Sequence, residues 1–199
     1  MRTALDVHRE LLARDVPHEI VRLPQRITTA DDLPFSLGMP VGCVAVRLYR
    51  VVRPEAPDLG GQDRAAFVAV LVPAGAVPDV DALLALLDAA GVEPLPPAEV
   101  SALTGCPDGL VSPVGLPAGV EVLADAAVGA TDVLYAAAGE GRVALGVRTR
   151  DLLVAVGARV GTLTPSPLPV PRARYADIVD LDARLLSSTA QWASDGRTA

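Results

Sequence analysis

The densest run of chemistry-capable backbone in this sequence is Leu103-Thr104-Gly105-Cys106-Pro107-Asp108-Gly109-Leu110-Val111-Ser112-Pro113-Val114-Gly115-Leu116-Pro117. Proline fixes φ and gives up its N–H, while glycine lets other groups come close to the backbone. Three of each in one stretch can aim the remaining N–H groups at a single point, as an oxyanion site does. Read as a bare pattern, the same run is also a structural turn, the commoner use of these residues.

Other routes to catalysis are missing from the sequence. The chain has no lysine, all 17 of its cations being arginine, so a G-x-x-x-x-G-K-[ST] phosphate loop is excluded. There is no G-x-S-x-G nucleophile elbow. His8 falls on the polar face of an expected helix and His18 at the start of an expected strand, which favours solvated and structural roles. Cys43 and Cys106 stand 63 residues apart, neither a metal-ligand spacing nor a disulfide framework, and read as buried thiols. A hydrolase built on this chain therefore needs another way to activate water. No metal or other cofactor is expected.

Charge narrows the partners. The net charge is −7, unevenly spread: residues 1–64 carry 9 Arg and 9 acids, 65–139 carry 9 acids and no Arg, and 140–199 carry 8 Arg and 6 acids. The middle third should repel phosphate, so contact with nucleic acid must come from the flanking thirds. Without such contact, the pattern is a solvated acidic surface. Aromatic residues make up only 3%, too few to suggest base stacking on a single strand, and DNA is not expected as a partner. The first residues lack the basic-then-apolar order of a signal peptide. The longest apolar run, 65–72, is too short to span a bilayer. The expectation is a cytoplasmic protein with no membrane partner.

Residues 3–14 read as an amphipathic helix with Leu5, Leu11 and Leu12 inward, and 18–23 as a strand. Thr29-Ala30-Asp31-Asp32 is a capping sequence, with Pro34 forcing a late or distorted helix that stops at Gly38-Met39-Pro40. In the strand at 43–52, alternation sets Cys43, Ala45, Arg47 and Tyr49 opposite Val44, Val46, Leu48 and Arg50. A Pro/Gly-rich loop at 53–64 leads to a buried strand at 66–72. Then come a helix at 80–90 ended by Gly91, a strand at 92–95, a helix at 97–103, strands at 120–124, 132–137 and 142–147, and a helix at 149–156. This order gives an α/β fold with a mixed, mostly antiparallel sheet flanked by helices.

We divide the chain into a domain at 1–160 and a tail at 161–199. The tail has proline at every second position from Pro165 to Pro171, then an apolar stripe of Ile178, Val179, Leu181, Leu185 and Leu186. That stripe must cover a surface on this domain or on a second copy, which makes a homodimer through the terminal helix one expectation.

The 103–117 run resembles the G-x-x-x-P loop of the YbaK / prolyl-tRNA editing family, within its wider pattern L-T-G-C-x-x-G-x-x-S-P-x-G-L-P. Gly109 and Pro113 fall on the two named positions, with Ser112 and Gly115 beside them. Pro96-Pro97-Ala98-Glu99-Val100 resembles the family's P-x-E-V helix, 67–73 its V-x-V-V-P strand, and 134–145 its paired strands around a G-x-G turn, here Gly139-Glu140-Gly141. The resemblance covers about residues 3–157. It implies an aminoacyl-tRNA deacylase that hydrolyses the ester of a mischarged tRNA, with the tRNA 3′ end as partner and no metal. Loop backbone at Gly109, Ser112 and Pro113 would orient the ester carbonyl. Gly115 and Gly139 would border the substrate, and a substrate hydroxyl or thiol would assist.

One position departs from the pattern. The family's strand reads roughly V-x-K-T-L, and the corresponding run is Val44-Ala45-Val46-Arg47-Leu48, so Val46 stands where the lysine would be and Arg47 where the threonine would be. Arg50 and Arg142 are the candidates to supply the missing charge. Glu140, where the family has a small polar residue, would oppose phosphate. Two readings follow: an active trans-editing deacylase, or a catalytically degenerate relative that binds an amino-acid-like ligand or a protein partner.

Overall fold

The computed structural model describes residues 1–39, 42–53 and 67–165. Its spine is β2 (Cys43–Val52), paired antiparallel with β3 (Phe67–Pro73) from Val44↔Pro73 to Arg50↔Phe67. Val68 to Val72 are all fully buried, as a continuous apolar run covered on both faces must be. Further strands are β1 (His18–Arg22), β4 (Gly91–Pro94), β5 (Val120–Asp125), β6 (Val133–Ala137), β7 (Val143–Arg148) and β8 (Arg159–Gly161). The sheet runs β1-β7-β6-β2-β3-β5-β8, with β4 also on β2. Pairs β1–β7, β6–β7, β2–β3 and β2–β4 are antiparallel, and β2–β6, β3–β5 and β5–β8 are parallel. This is the mixed α/β sheet that the sequence suggests.

The edge of β2 away from β3 is shared by two partners. Strand β6 pairs only with Cys43 and Val44, and β4 only with Tyr49 to Val52. Residues 45–48 between them have no strand partner on that edge.

The helices are α1 (Ala4–Ala13), α2 (Leu33–Leu37), α3 (Val80–Leu87), α4 (Pro97–Thr104), α5 (Ala126–Gly129) and α6 (Thr149–Ala155). A capping box starts α1: the Thr3 N–H donates to Asp6 at 2.9 Å, and the hydrogen bonds with Thr3 hold the Asp6 carboxyl below its ordinary range. The buried stripe of α1 is Ala4, Val7 and Leu11, whereas Leu5 and Leu12 are 52% and 59% exposed. The inward face is thus turned about 100° from the leucine pair, a one-residue rotation of the helical wheel. Pro34 sits in the first turn of α2, after a 3₁₀ turn at Ala30–Asp32, and Gly38 closes it in the left-handed region.

Helix α3 stops at Asp88, itself left-handed at φ 49°, so Gly91 opens β4 instead of ending the helix. Two further elements, α5 and β8, are absent from the sequence reading. Both hang on Asp125, which is 2% exposed. One oxygen accepts from the Ala127 N–H at 2.7 Å to start α5, and the other accepts from the N–H groups of Leu163 and Thr164 at 2.8 and 2.7 Å. Leu163 is buried, and this compact unit runs from Met1 to Pro165. The alternating prolines beyond Pro165 and the apolar stripe at 178–186 lie outside the described residues. Among the described residues no helix is long and apolar enough to cross a membrane.

Candidate functional site

The loop from Gly105 to Gly115 crosses the sheet beside the unpartnered stretch of β2. Leu110 packs with Cys43 and Ala45 on one face of β2, and Val111 and Val114 pack with Val44, Val46 and Leu48 on the other. The loop is anchored through its carbonyls. Those of Gly109 and Leu110 accept from the N–H groups of Ala30 (2.7 Å) and Gly139 (3.1 Å), and that of Pro107 accepts from Leu110 at 3.0 Å. The N–H groups of Gly109, Val111 and Ser112 have no partner among the described residues. Using acceptors for attachment and leaving donors free suits a backbone that receives an electron-rich ligand. Gly109 has φ +77°, and a Cβ there would lie 3.0 Å from the Thr28 carbonyl oxygen, so glycine is required.

Gly109 opens onto a cavity of about 260 Å³. Its walls include Val46, Arg47 and Tyr49 of β2, Leu95 and Val100 beside β4 and α4, and Thr28, Thr29 and Asp108 on the loop side. Strand alternation decides which β2 backbone groups face it. The Cys43 carbonyl accepts from Ala74, at the β3 end, whereas those of Gly42 and Leu48 accept from Tyr135 and Leu95 on the other edge. Val46 therefore turns its N–H and C=O outward, like Val44 and Leu48. Neither group has a partner among the described residues.

The cationic side chain at the cavity is committed elsewhere. Arg47 Nη2 donates to both Asp31 oxygens, at 2.8 and 2.7 Å, and the Gly75 N–H adds a third bond at 2.8 Å. Burial pushes the Asp31 carboxyl up, but these hydrogen bonds outweigh it and hold the group below its ordinary range. Burial raises the Tyr49 phenol, with Arg47 opposing, so Tyr49 remains a neutral donor near neutral pH. The Val46 side chain is 8% exposed and belongs to the apolar cluster of Leu95, Val100 and Val111.

The other sequence candidates are distributed around this cavity, not gathered on its wall. Ser112 is 1% exposed, and its Oγ accepts from the Val114 N–H at 3.2 Å, shaping the loop from inside. Pro113 is likewise buried. The Gly115 carbonyl accepts from Arg2, and Gly139 lies against the Arg2 backbone, so both are covered by the N-terminal segment. Arg50 pairs with Glu99 at 2.5 Å and stacks on Phe67, away from the cavity wall. Arg142 is exposed, and its carbonyl accepts from the Leu23 N–H. It joins the segment that carries Arg22 and Arg26 and then enters the cavity wall at Thr28. Glu140 serves the fold, since its carboxylate accepts from the Ala4 N–H at 2.9 Å, at the first turn of α1. Sequence reasoning places Thr29 only in a cap and passes over Thr28, Tyr49 and Asp108 as wall residues. The Thr-Thr pair and the motif's own aspartate are the signals that could have found them.

Several alternative chemistries have no foothold here. His8 and His18 bond each other at 2.8 Å, and neither lines the cavity. Burial lifts the Cys43 thiol to about 11, so it stays protonated. Among the described residues no group of three or more His, Cys, Asp or Glu could hold a metal.

Residues 57–155 match the sequence profile of the aminoacyl-tRNA editing domain. The fold is shared with several solved structures. The hypothetical protein APE2540 is 22% identical, with TM-score 0.68 over 80% of this chain and 99% of its own. A candidate trans-editing enzyme for prolyl-tRNA synthetase is 23% identical, with TM-score 0.67 over 82% and 97%. A scaffold protein used in computational grafting of an epitope backbone is 26% identical, with TM-score 0.66 over 82% and 97%. No functionally curated protein matches the chain. The profile match and the shared fold agree, and residues 57–155 of this chain belong to the aminoacyl-tRNA editing domain family, of the YbaK type.

Proposed function

We propose that this domain is a trans-editing aminoacyl-tRNA deacylase, working in the cytoplasm without a cofactor on the ester of a mischarged tRNA. The observation that carries the reading is the loop at Gly109, anchored by its carbonyls with N–H groups left over, on the wall of a cavity of about 260 Å³. Water oxygen bonds to the ester carbonyl carbon, and the carbonyl oxygen becomes an oxyanion that backbone N–H groups stabilise. The bond to the ribose oxygen then breaks. That oxygen takes up the proton lost by water, relayed by the neighbouring ribose hydroxyl, leaving a free amino acid and an uncharged tRNA. The RNA approaches over Arg22, Arg26 and Arg142, which are exposed and form no ion pair among the described residues; Arg22 and Arg26 lie on the segment leading to Thr28, and the Arg142 carbonyl accepts from Leu23 on that segment.

A second reading, binding without hydrolysis, is supported by the apolar Val46 side chain and by the tie between Arg47 and Asp31. A deacylation panel across mischarged tRNAs, with protein well below substrate, separates the two. Accelerated ester loss for at least one tRNA supports the deacylase. Retained binding of aminoacyl-adenosine analogues with no acceleration on any tRNA supports the second reading.

A further inference from the structure

In the family pattern a lysine side chain stands at position 46, and here a buried valine stands there. The backbone of that residue offers something its side chain does not. Val46 lies in the only part of β2's outer edge, among the described residues, that neither β6 nor β4 covers. Its N–H and C=O both point outward, both lack a partner among the described residues, and the residue forms part of the cavity wall opposite Gly109. Buried backbone groups are almost always paired, so an unpaired donor and acceptor on one residue, facing a cavity, mark a place where a ligand completes the bonding.

The spacing of that donor and acceptor defines what fits. In an antiparallel sheet, two residues directly opposite can exchange both of their N–H···O=C bonds. The unit needed opposite Val46 is one nitrogen donor, one carbon and one carbonyl. An α-aminoacyl ester contains this unit: the α-ammonium, the Cα and the scissile carbonyl. We infer that the aminoacyl group docks on Val46 as a one-residue strand. Its ammonium donates to the Val46 carbonyl, and its ester carbonyl accepts from the Val46 N–H.

This inference rests on the deacylase reading and deepens it. The Val46 N–H joins the Gly109 loop in polarising the carbonyl, and the Val46 carbonyl selects an α-amine. Hydroxy-acyl and simple acyl esters lack the charged donor and are disfavoured. Any residue other than proline at position 46 keeps this donor and acceptor, so valine there is compatible with activity. Val46 is accordingly a substrate-positioning residue acting through its main chain.

The test uses the full chain labelled with ¹⁵N-valine and a set of 3′-aminoacylamino-3′-deoxyadenosines carrying each proteinogenic amino acid, in which an amide replaces the labile ester. With the analogue that binds, the Val46 amide resonance should shift more than the other β2 valines and exchange with solvent at least about tenfold more slowly. The matching analogue lacking the α-amine should bind at least about tenfold more weakly, the loss of one charge-assisted bond. Val46→Pro removes the N–H that points away from β3, so no β2–β3 hydrogen bond is lost, and should lower deacylation by ~10²–10³. Should that variant not fold, the amide shift and the amine-free analogue decide alone. An analogue that binds without moving the Val46 amide, or that binds equally well without its amine, overturns the inference and leaves the deacylase reading standing. If no analogue binds and no tRNA is deacylated, both fall.

Discussion

The cleft between the end of α1 and α6 holds about 1170 Å³, and the cavity beside Gly109 about 260 Å³. The wide cleft is bounded by side chains of both signs: Arg14, Arg148 and Arg150 against Asp15, Asp132 and Asp151. At its α1 end the backbone is closed, since the N–H groups of Arg14, Asp15 and Val16 all reach carbonyls of α1, and the Ala155 carbonyl takes the Arg14 guanidinium. The narrow cavity is the reverse. Its cationic wall residue Arg47 is tied to Asp31, while Val46 and Gly109 present unpaired backbone groups. Volume alone would choose the wide cleft. A free donor and a free acceptor on one strand residue, with the Gly109 N–H on the same cavity wall, choose the narrow one, because groups held by a folded frame need no reorganisation to meet developing charge.

The strongest way to break this comparison is at Gly109. Gly109→Ala places a Cβ 3.0 Å from the Thr28 carbonyl oxygen and 3.3 Å from the Thr29 Cα, on a backbone at φ +77°. The loop must shift, and its donors with it. Turnover should fall by ~10²–10³, with a stability loss of about 1–2 kcal/mol from the left-handed backbone alone. Single-turnover deacylation and thermal melting measure the two separately. Full turnover in a folded Gly109→Ala protein would remove the loop from the mechanism.

How much of the molecule is legible in its sequence depends on range. The loop itself is readable, because Gly109 and Pro113 act through local φ constraints that sequence displays directly. So is the alternation of β2, which correctly separates Val46 from Arg47. Leu5 and Leu12 mislead because leucine outweighs the smaller Ala4 and Val7, which set the buried stripe. Asp88 in the left-handed region ends α3, where a glycine three residues later is the expected stop. The gap on β2 cannot be read at all. It exists because β6 and β4, roughly 40 residues apart in sequence, meet the same edge from opposite ends, and sheet order is a long-range property. The role of Glu140 is hidden for the same reason, since its partner Ala4 lies at the other end of the domain.

A smaller effect is expected at the pair that removes Arg47 from service. Asp31→Asn deletes the charge that receives Arg47 and Gly75, at a cost of about 1–3 kcal/mol near neutral pH. Asp31 ionises below its ordinary 3.8 in the folded protein. The stability it contributes is therefore fully present above the unfolded pKa and is lost as pH falls through the lower folded value. Wild type and Asp31→Asn should differ by a constant amount above about pH 5 and converge below about pH 4. Urea melts across that range measure the gap. A gap that persists unchanged into the acid limb would show that the ion pair is not its source.

The smallest expected effect gives the sharpest contrast between the two regions, because it compares arginines with arginines. Arg22 and Arg26 lie on the segment that reaches the narrow cavity at Thr28, and Arg142 is bonded to that segment at Leu23, while Arg148 and Arg150 line the wide cleft among aspartates. An uncharged acceptor-stem minihelix ending in single-stranded CCA is the probe, titrated at several salt concentrations. If the RNA lies over the first set, the triple alanine variant should flatten the slope of log affinity against log salt by about 0.9 for each phosphate left without its arginine, up to about 2.7. The double variant Arg148→Ala/Arg150→Ala should leave deacylation within about twofold, since exposed arginines among neighbouring carboxylates contribute little net field. A double variant that flattens the slope as much as the triple would mean that RNA also crosses the wide cleft. Aspartates 132 and 151 would then have to be turned away from the phosphates, and the choice of the narrow cavity would rest on its backbone groups alone.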